Sequence, residues 1–101
     1  MIIYNVTVNI DHEIFEEWLA WMKDTHIPDV MATGCFESHK ILRLLNESPD
    51  VEGRTFAIQY FAPDMKTLNT YAAQHQPALQ QEVQKRYGER VVAFRTLLEE
   101  V

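Results

Sequence analysis

The sequence has a single cysteine, Cys35, so no disulfide can form within the chain. A free thiol is typical of a reducing compartment, and the fold must be stabilised by its core instead. Basic residues are also scarce, since nine Lys and Arg stand against fifteen Asp and Glu and give a net charge of −6. This charge repels the phosphates of nucleic acids and anionic lipid surfaces, so we expect neither as a partner.

Long apolar runs are absent as well. No segment approaches the roughly 18 apolar residues of a membrane-spanning helix, and no signal-peptide pattern precedes the first strand. We therefore expect a cytoplasmic protein. The composition, with 47% apolar and 24% charged residues among 101, is that of a globular chain. A chain of this length supports one core, so we expect a single domain over residues 1–101.

The first half of the chain predicts a strand followed by a helix. Apolar side chains alternate over residues 2–10, which favours a strand with one strongly apolar face. Asp11 is a typical N-cap residue, so we expect the helix to begin there. Pro28 disfavours the helical conformation at the residue before it, which predicts the end of the helix. One further turn over residues 29–33 precedes Gly34.

The second half predicts two strands, an interrupted helix and a last strand. Residues 35–45 and 54–61 alternate as strands, and the polar segment 46–53 between them predicts an exposed loop. Asp64 is placed to cap a second helix, which Pro77 should kink or restart. Gly88 should end that helix, and residues 91–98 form the fourth strand.

This order predicts the βαββαβ arrangement of the ferredoxin-like α+β fold. Its four-stranded antiparallel sheet carries two helices on one face and leaves the other face open. The third and fourth strands are apolar on both sides, so we expect the open face to be buried against a second copy in a homodimer. Polar residues on the same side keep a solvated sheet as the alternative; they are Asn5, Thr7, Asn9 and Gln59.

Several short runs carry a resemblance to known proteins. They are EWLAWMK at 17–23, HIPDV at 26–30, GCF at 34–36, QYF at 59–61 and AFRTLLEE at 93–100. Together they resemble the dimeric α+β barrel superfamily, and most closely a small bacterial family whose function is not established. The resemblance implies a ferredoxin-like protomer whose sheet packs on a second sheet. The superfamily includes cofactor-independent monooxygenases, haem-degrading enzymes, isomerases and stress-response proteins, so the fold does not choose an activity.

The candidate site is a pocket between the helices and the sheet. Its expected ligand-binding residues are Trp18, Met22, His26, His39, Tyr60 and His75. His26 is the best catalytic candidate, as a general base, although a histidine that caps helix carbonyls at the core edge is the alternative. The topology should bring His26, His39 and Tyr60 to one end of the sheet. The pattern leaves open which sheet face carries His39.

The sequence predicts no metal and no cofactor. Cys35 and His39 would lie about 13 Å apart along a strand, too far to share one ion. Cys35 is better explained as a small buried hydrophobe than as a nucleophile. Haem-degrading enzymes are similar in pairing a strand asparagine with a helix histidine, for which Asn5 and His75 are the matches. The helix tryptophan that accompanies them is missing, and Tyr71 is the nearest aromatic residue.

Three functions remain open at this point. The leading one is a dimeric protein that binds a small apolar or aromatic metabolite. The second is a cofactor-independent monooxygenase or isomerase, and it predicts an unpaired polar group at the cavity. The third is a structural or interaction module without a pocket, and it predicts a closed interior in which every histidine is hydrogen-bonded.

Overall fold

The computed structural model describes residues 1–48 and 52–101. The strands are β1 (Ile2–Ile10), β2 (Ser38–Arg43), β3 (Arg54–Ala62) and β4 (Val91–Glu99). The helices are α1 (Phe15–Trp21), α2 (Ile27–Ala32), α3 (Met65–Gln74) and α4 (Gln76–Tyr87). The described residues form a four-stranded sheet in the order β2-β3-β1-β4, with antiparallel neighbours. The predicted ferredoxin-like α+β fold is confirmed.

The first helix begins later than predicted. The Asp11 carboxylate accepts a hydrogen bond from the Glu13 N–H at 2.9 Å, which closes a turn instead of capping a helix. Helix α1 starts at Phe15, after Ile14 in the N-cap position. An aspartate can satisfy a backbone donor in either way, so the residue type alone did not fix the boundary.

Pro28 does not end the helical run, contrary to the prediction. A π-helical turn over Met22–His26 joins α1 to α2, and the Ile27 N–H bonds to the Met22 carbonyl five residues back. Pro28 then occupies the first turn of α2. Proline lacks an N–H and crowds the carbonyl four residues before it, and the wider π turn accommodates both defects.

The boundaries of the second helical region are confirmed. The Asp64 carboxylate accepts from the Thr67 N–H at 2.8 Å and caps α3. Helix α3 ends one residue before His75, and α4 restarts with Pro77 in its first turn. Gly88 ends α4 with a φ of +57°, a conformation that suits glycine.

The second strand is shorter than the predicted 35–45. Cys35 and Phe36 precede β2 and are buried in the core, so their apolar character reflects burial rather than strand pairing. The expectation that Cys35 is a buried, free thiol is confirmed. The predicted loop 46–53 is described only in part, since residues 49–51 lie outside the described residues.

The two faces of the sheet differ sharply in burial. Core side chains from the helices and the strands meet on one face, and those exposed by 1% or less are Ile10, Trp18, Val30, Ile58 and Ala62. The pairing register puts Asn5, Gln59 and Thr96 on the other face. No helix covers this open face in the described part of the chain, and Phe94 on it is 68% exposed.

Candidate functional site

A cavity lies between the helices and the covered face of the sheet. Strands β1, β3 and β4 supply one wall, and α1, the π turn and α4 supply much of the other. About 60 Å³ of it is accessible to the centre of a water molecule; the empty space is about 520 Å³ when the solvent at its open mouth is included. One water needs roughly 10–15 Å³ on the first measure, so the space admits several waters or a small organic molecule.

Four of the six expected site residues line this cavity together: Trp18, Met22, His26 and Tyr60. The helical run of residues 15–32 brings the first three to the cavity, and Tyr60 reaches it from β3. Trp18 is 1% exposed and Met22 5%, so both also belong to the core.

The other two expected residues lie outside the cavity lining. His39 pairs with Tyr60, which places it on the helix-covered side of the sheet, but β2 is an edge strand and leaves His39 exposed. His75 occupies the break between α3 and α4, where its backbone leaves the helical conformation and the helical period no longer sets its direction. Its ring lies 6.2 Å from that of Tyr71.

The asparagine and histidine of the haem-degrading interpretation are not brought together. Asn5 is on the open face, where its Nδ2 donates to Thr7 Oγ1 and Thr96 Oγ1, each at 3.1 Å. His75 lies at the helix junction on the opposite side of the sheet. The described residues also contain no group of three or more His, Cys, Asp or Glu side chains that could hold a metal ion.

His26 is the most unusual polar residue of the site. It lies in the π turn, and its ring stacks on Trp21 with centroids 5.3 Å apart and planes at 26°. Its Nδ1 atom is buried and has no hydrogen-bond partner among the described residues. Burial lowers the pKa of His26, and the nearby Arg95 lowers it further, while Asp29 opposes the shift. The imidazole is therefore neutral at pH 7 and offers an acceptor or a proton-accepting nitrogen.

Three tyrosines line the cavity, Tyr4 and Tyr60 from the sheet and Tyr71 from α3. The Tyr4 ring lies 6.1 Å from Tyr60 and 5.7 Å from Tyr71, and Phe36 packs against all three. Burial is the main cause that raises the pKa of each tyrosine. Their hydroxyls therefore stay protonated at neutral pH, so each has a proton with which it can donate a hydrogen bond.

Arg95 is the site residue that sequence reasoning missed. Arg95 lies on β4, opposite Val6 of β1, and it lines the cavity. Its Nε donates a hydrogen bond to the Tyr4 hydroxyl at 3.0 Å. With the Gln80 carboxamide turned so that its oxygen faces Arg95, this oxygen accepts from Nε at 2.9 Å and from Nη2 at 3.3 Å. The sequence did contain a signal for Arg95: it alternates with Val91 and Ala93, so a charged residue is expected on the helix-covered face of β4.

The cavity meets the surface between α4 and β4. A groove there shares five residues with the cavity lining: Gln80, Val83, Val91, Ala93 and Arg95. Arg95 is exposed to solvent, so it lies at the rim of the cavity rather than in the centre of the core. This opening provides an entry path for a small molecule.

In the parts of the chain that the structure covers, every helix is too short or too polar to traverse a lipid bilayer.

Comparison with solved structures shows the same fold at low sequence identity. An ethyl tert-butyl ether D family protein from Bacillus halodurans is 14% identical, with a TM-score of 0.67 and all of both chains covered. HapK from Hahella chejuensis is 7% identical, with a TM-score of 0.71, over 100% of this chain and 93% of that one. A putative antibiotic biosynthesis monooxygenase from Deinococcus radiodurans is 20% identical, with a TM-score of 0.58 and the same coverage.

The sequence comparisons point to a family rather than to an activity. Residues 1–101 match a family model described as a domain of unknown function, DUF4286. This match confirms the resemblance to a family whose function is not established. No curated protein matches the chain.

Proposed function

We propose that this chain, which belongs to the DUF4286 family, binds a small apolar or aromatic metabolite in the cavity between its helices and its sheet. The lining is mostly apolar, with a few polar groups from His26, Arg95 and the tyrosines. Small-molecule sites commonly combine an apolar cavity with a few polar groups that fix the orientation of the ligand.

The unpartnered Nδ1 of His26 is the single observation that carries this proposal. A buried polar atom without a partner is costly, at roughly 1–3 kcal/mol, and such atoms are rare in folded proteins. The atom belongs to a cavity residue and lies in a π turn, a helix distortion that is frequent at functional sites. A bound molecule with a hydrogen-bond donor would remove the cost.

An enzyme that uses His26 as a general base is the second candidate. The lowered pKa keeps the imidazole free of its proton, so that it can accept one from an acidic O–H or C–H of the bound molecule. Arg95 would then stabilise the anion that remains. The name antibiotic biosynthesis monooxygenase belongs to one structural neighbour, and at 20% identity the likeness to that protein supports only the shared fold.

The third expectation, a module without a pocket, fits the structure less well. It required a closed interior and hydrogen-bonded histidines, whereas the cavity and the unpartnered His26 both argue for an occupant.

The binding proposal is tested by thermal shift with a set of neutral aromatic probes such as phenol, indole and benzamide. A ligand at ten times its Kd stabilises the folded state by about 1.4 kcal/mol, which raises the Tm of a domain of this size by several degrees. Ala93→Leu would fill the cavity and should abolish the shift. Ala73→Leu adds the same side chain on the exposed surface of α3 and should leave the shift intact. The proposal would be contradicted if no probe stabilises the wild type, or if the probes stabilise Ala93→Leu as much as the wild type.

A homodimer through the open sheet face is part of the same proposal. Four apolar side chains on that face are exposed: Leu42 by 45%, Val92 by 50%, Phe94 by 68% and Leu98 by 44%. The buried Oδ1 of Asn5 on this face also has no partner among the described residues. A second copy on a two-fold axis would cover both, because one patch then faces itself.

A cytoplasmic location is also proposed. The buried free thiol of Cys35 supports it, because thiols persist in reducing compartments. Fractionation of the native cell with an antibody to the chain would test this location.

A further inference from the structure

We propose that the natural ligand is a carboxylate, whose anionic group Arg95 binds at the rim while its aromatic or apolar part fills the cavity. This inference rests on the proposed binding function and names the chemical class of the ligand. The two parts of such a molecule correspond to the two environments that the site provides.

Arg95 lacks the acidic partner that two other arginines of the chain, Arg86 and Arg90, have. Among the described residues Arg43 and Arg54 also lack one, but neither of them lines the cavity. Arg86 is 3.2 Å from Glu17, and Arg90 is 3.3 Å from Asp11 and 3.1 Å from Glu13. Arg95 has no carboxylate within 4.0 Å among residues 1–48 and 52–101. Its recorded partners, the Tyr4 hydroxyl and the Gln80 amide, are neutral. In a chain with fifteen acidic and nine basic residues, an unpaired guanidinium beside a cavity needs an explanation.

The neutral partners hold Arg95 without saturating it. A guanidinium has five N–H donors in a planar fork, and the contacts to Tyr4 and Gln80 engage only Nε and Nη2. The remaining donors suit a carboxylate, which arginine commonly binds through two parallel hydrogen bonds. Tyr4 and Gln80 therefore act as positioning residues that fix the direction of the fork.

The rest of the lining is compatible with an anion. None of the described residues that line the cavity is an aspartate or a glutamate. His26 is neutral at pH 7, so Arg95 supplies the formal charge of the lining. The hydroxyls of Tyr60 and Tyr71 remain protonated because burial raises their pKa, and they offer further donors.

The placement of Arg95 also matches an amphipathic ligand. Its guanidinium lies where the cavity meets the groove between α4 and β4, so that a bound carboxylate stays close to water. Deeper in the cavity, the lining is formed by fully buried apolar side chains such as Trp18, Val30 and Ile58. An aromatic ring that enters first would contact these groups and leave its acid at the rim.

Matched pairs of probes test the inference. Benzoate, phenylacetate and indole-3-carboxylate are each compared with the corresponding carboxamide, which has the same ring without the charge. Binding is measured by calorimetry and by tryptophan fluorescence, since Trp18 lines the cavity and Trp21 stacks on the cavity residue His26. We expect at least one carboxylate to bind about tenfold more tightly than its amide, a ratio typical of one charge-assisted contact. Arg95→Gln should bring this ratio close to one.

Two further variants serve as controls. Arg95→Lys keeps the charge without the planar fork and should give an intermediate ratio. Arg43→Gln removes an exposed arginine of β2 that does not line the cavity, and it should leave the ratio unchanged. If Arg95→Gln fails to fold, the wild-type ratio and the Arg95→Lys ratio decide the question.

The possible failures are separable. Amides that bind as tightly as the carboxylates, or a carboxylate preference that survives in Arg95→Gln, would overturn the carboxylate inference and leave the binding function standing. If neither member of any pair binds, both the inference and the proposed function are overturned.

Discussion

His26 makes the stability of the folded chain depend on pH near neutrality. Its pKa in the folded state lies below the usual value of about 6.5, mainly because the ring is buried. As the pH falls below the usual pKa of about 6.5, the histidine of the unfolded chain takes up a proton before that of the folded chain does, and the free energy of unfolding decreases. We expect chemical denaturation to show less stability at pH 5.5 than at pH 7.5.

The variant His26→Gln isolates this contribution. It keeps a polar side chain but removes the titration, so its loss of stability between pH 7.5 and pH 5.5 should be smaller than that of the wild type. Carboxylates with lowered pKa, such as Asp11 and Asp64, lose their effect at lower pH and do not disturb the comparison. Equal losses in the two proteins would show that His26 is not a buried, neutral imidazole.

Individual site residues were predictable where a regular period set their direction. Trp18, Met22 and His26 were predicted on one apolar side of the helical run, and all three line the cavity. His75 was not, because the chain leaves the helix at that residue and Pro77 restarts it. Arg95 was missed because the alternation of β4 was interpreted through its apolar residues alone. The contact between Arg95 and Tyr4 also depends on how β4 is aligned with β1, and the sequence does not determine that register.

At the scale of elements, a glycine allows the chain before β3 to pass close to the end of β1. Gly53 precedes β3 with a φ of +86°, and a Cβ there would collide with the Ile10 carbonyl oxygen at the end of β1 and lie 2.8 Å from Asn9 Oδ1. We expect Gly53→Ala to destabilise the protein by about 2–3 kcal/mol, since both backbone strain and a clash must be accommodated. The midpoint of urea unfolding measures this change.

Gly34 provides the matched control for that substitution. Its φ is +77°, close to that of Gly53, but a Cβ there would meet nothing within 4 Å. Gly34→Ala should therefore cost only the conformational strain, about 1 kcal/mol. If the two variants lose the same stability, the close approach of Ile10 has no energetic consequence.

The elements themselves show where sequence reasoning succeeds. Strand and helix order, the Asp64 cap and the interruption of the second helix at Pro77 were all predicted, because each depends on a local pattern or a single residue type. Of the kink and the restart that Pro77 left open, the structure has the restart. The continuation past Pro28 was not foreseen. A proline usually ends a helix, and the alternative, a π turn that widens the backbone by one residue, depends on the packing of α1 and α2 against the sheet.

At the scale of the whole molecule, the proposed homodimer depends on the open sheet face. Phe94 lies near the middle of the edge strand β4, in register with Thr7, and is more exposed than any other side chain of that face named above. We expect Phe94→Lys to convert a dimer into a monomer, because two-fold symmetry would bring two introduced charges into one apolar interface. Light scattering coupled to size exclusion, at micromolar protein, measures the mass of the particle directly.

Leu45→Lys is the control, since Leu45 is 83% exposed but lies outside the strands. The mass of this variant should remain that of the wild type. A wild-type protein with the mass of one subunit would exclude the homodimer, and Asn5 with its apolar neighbours would then face water.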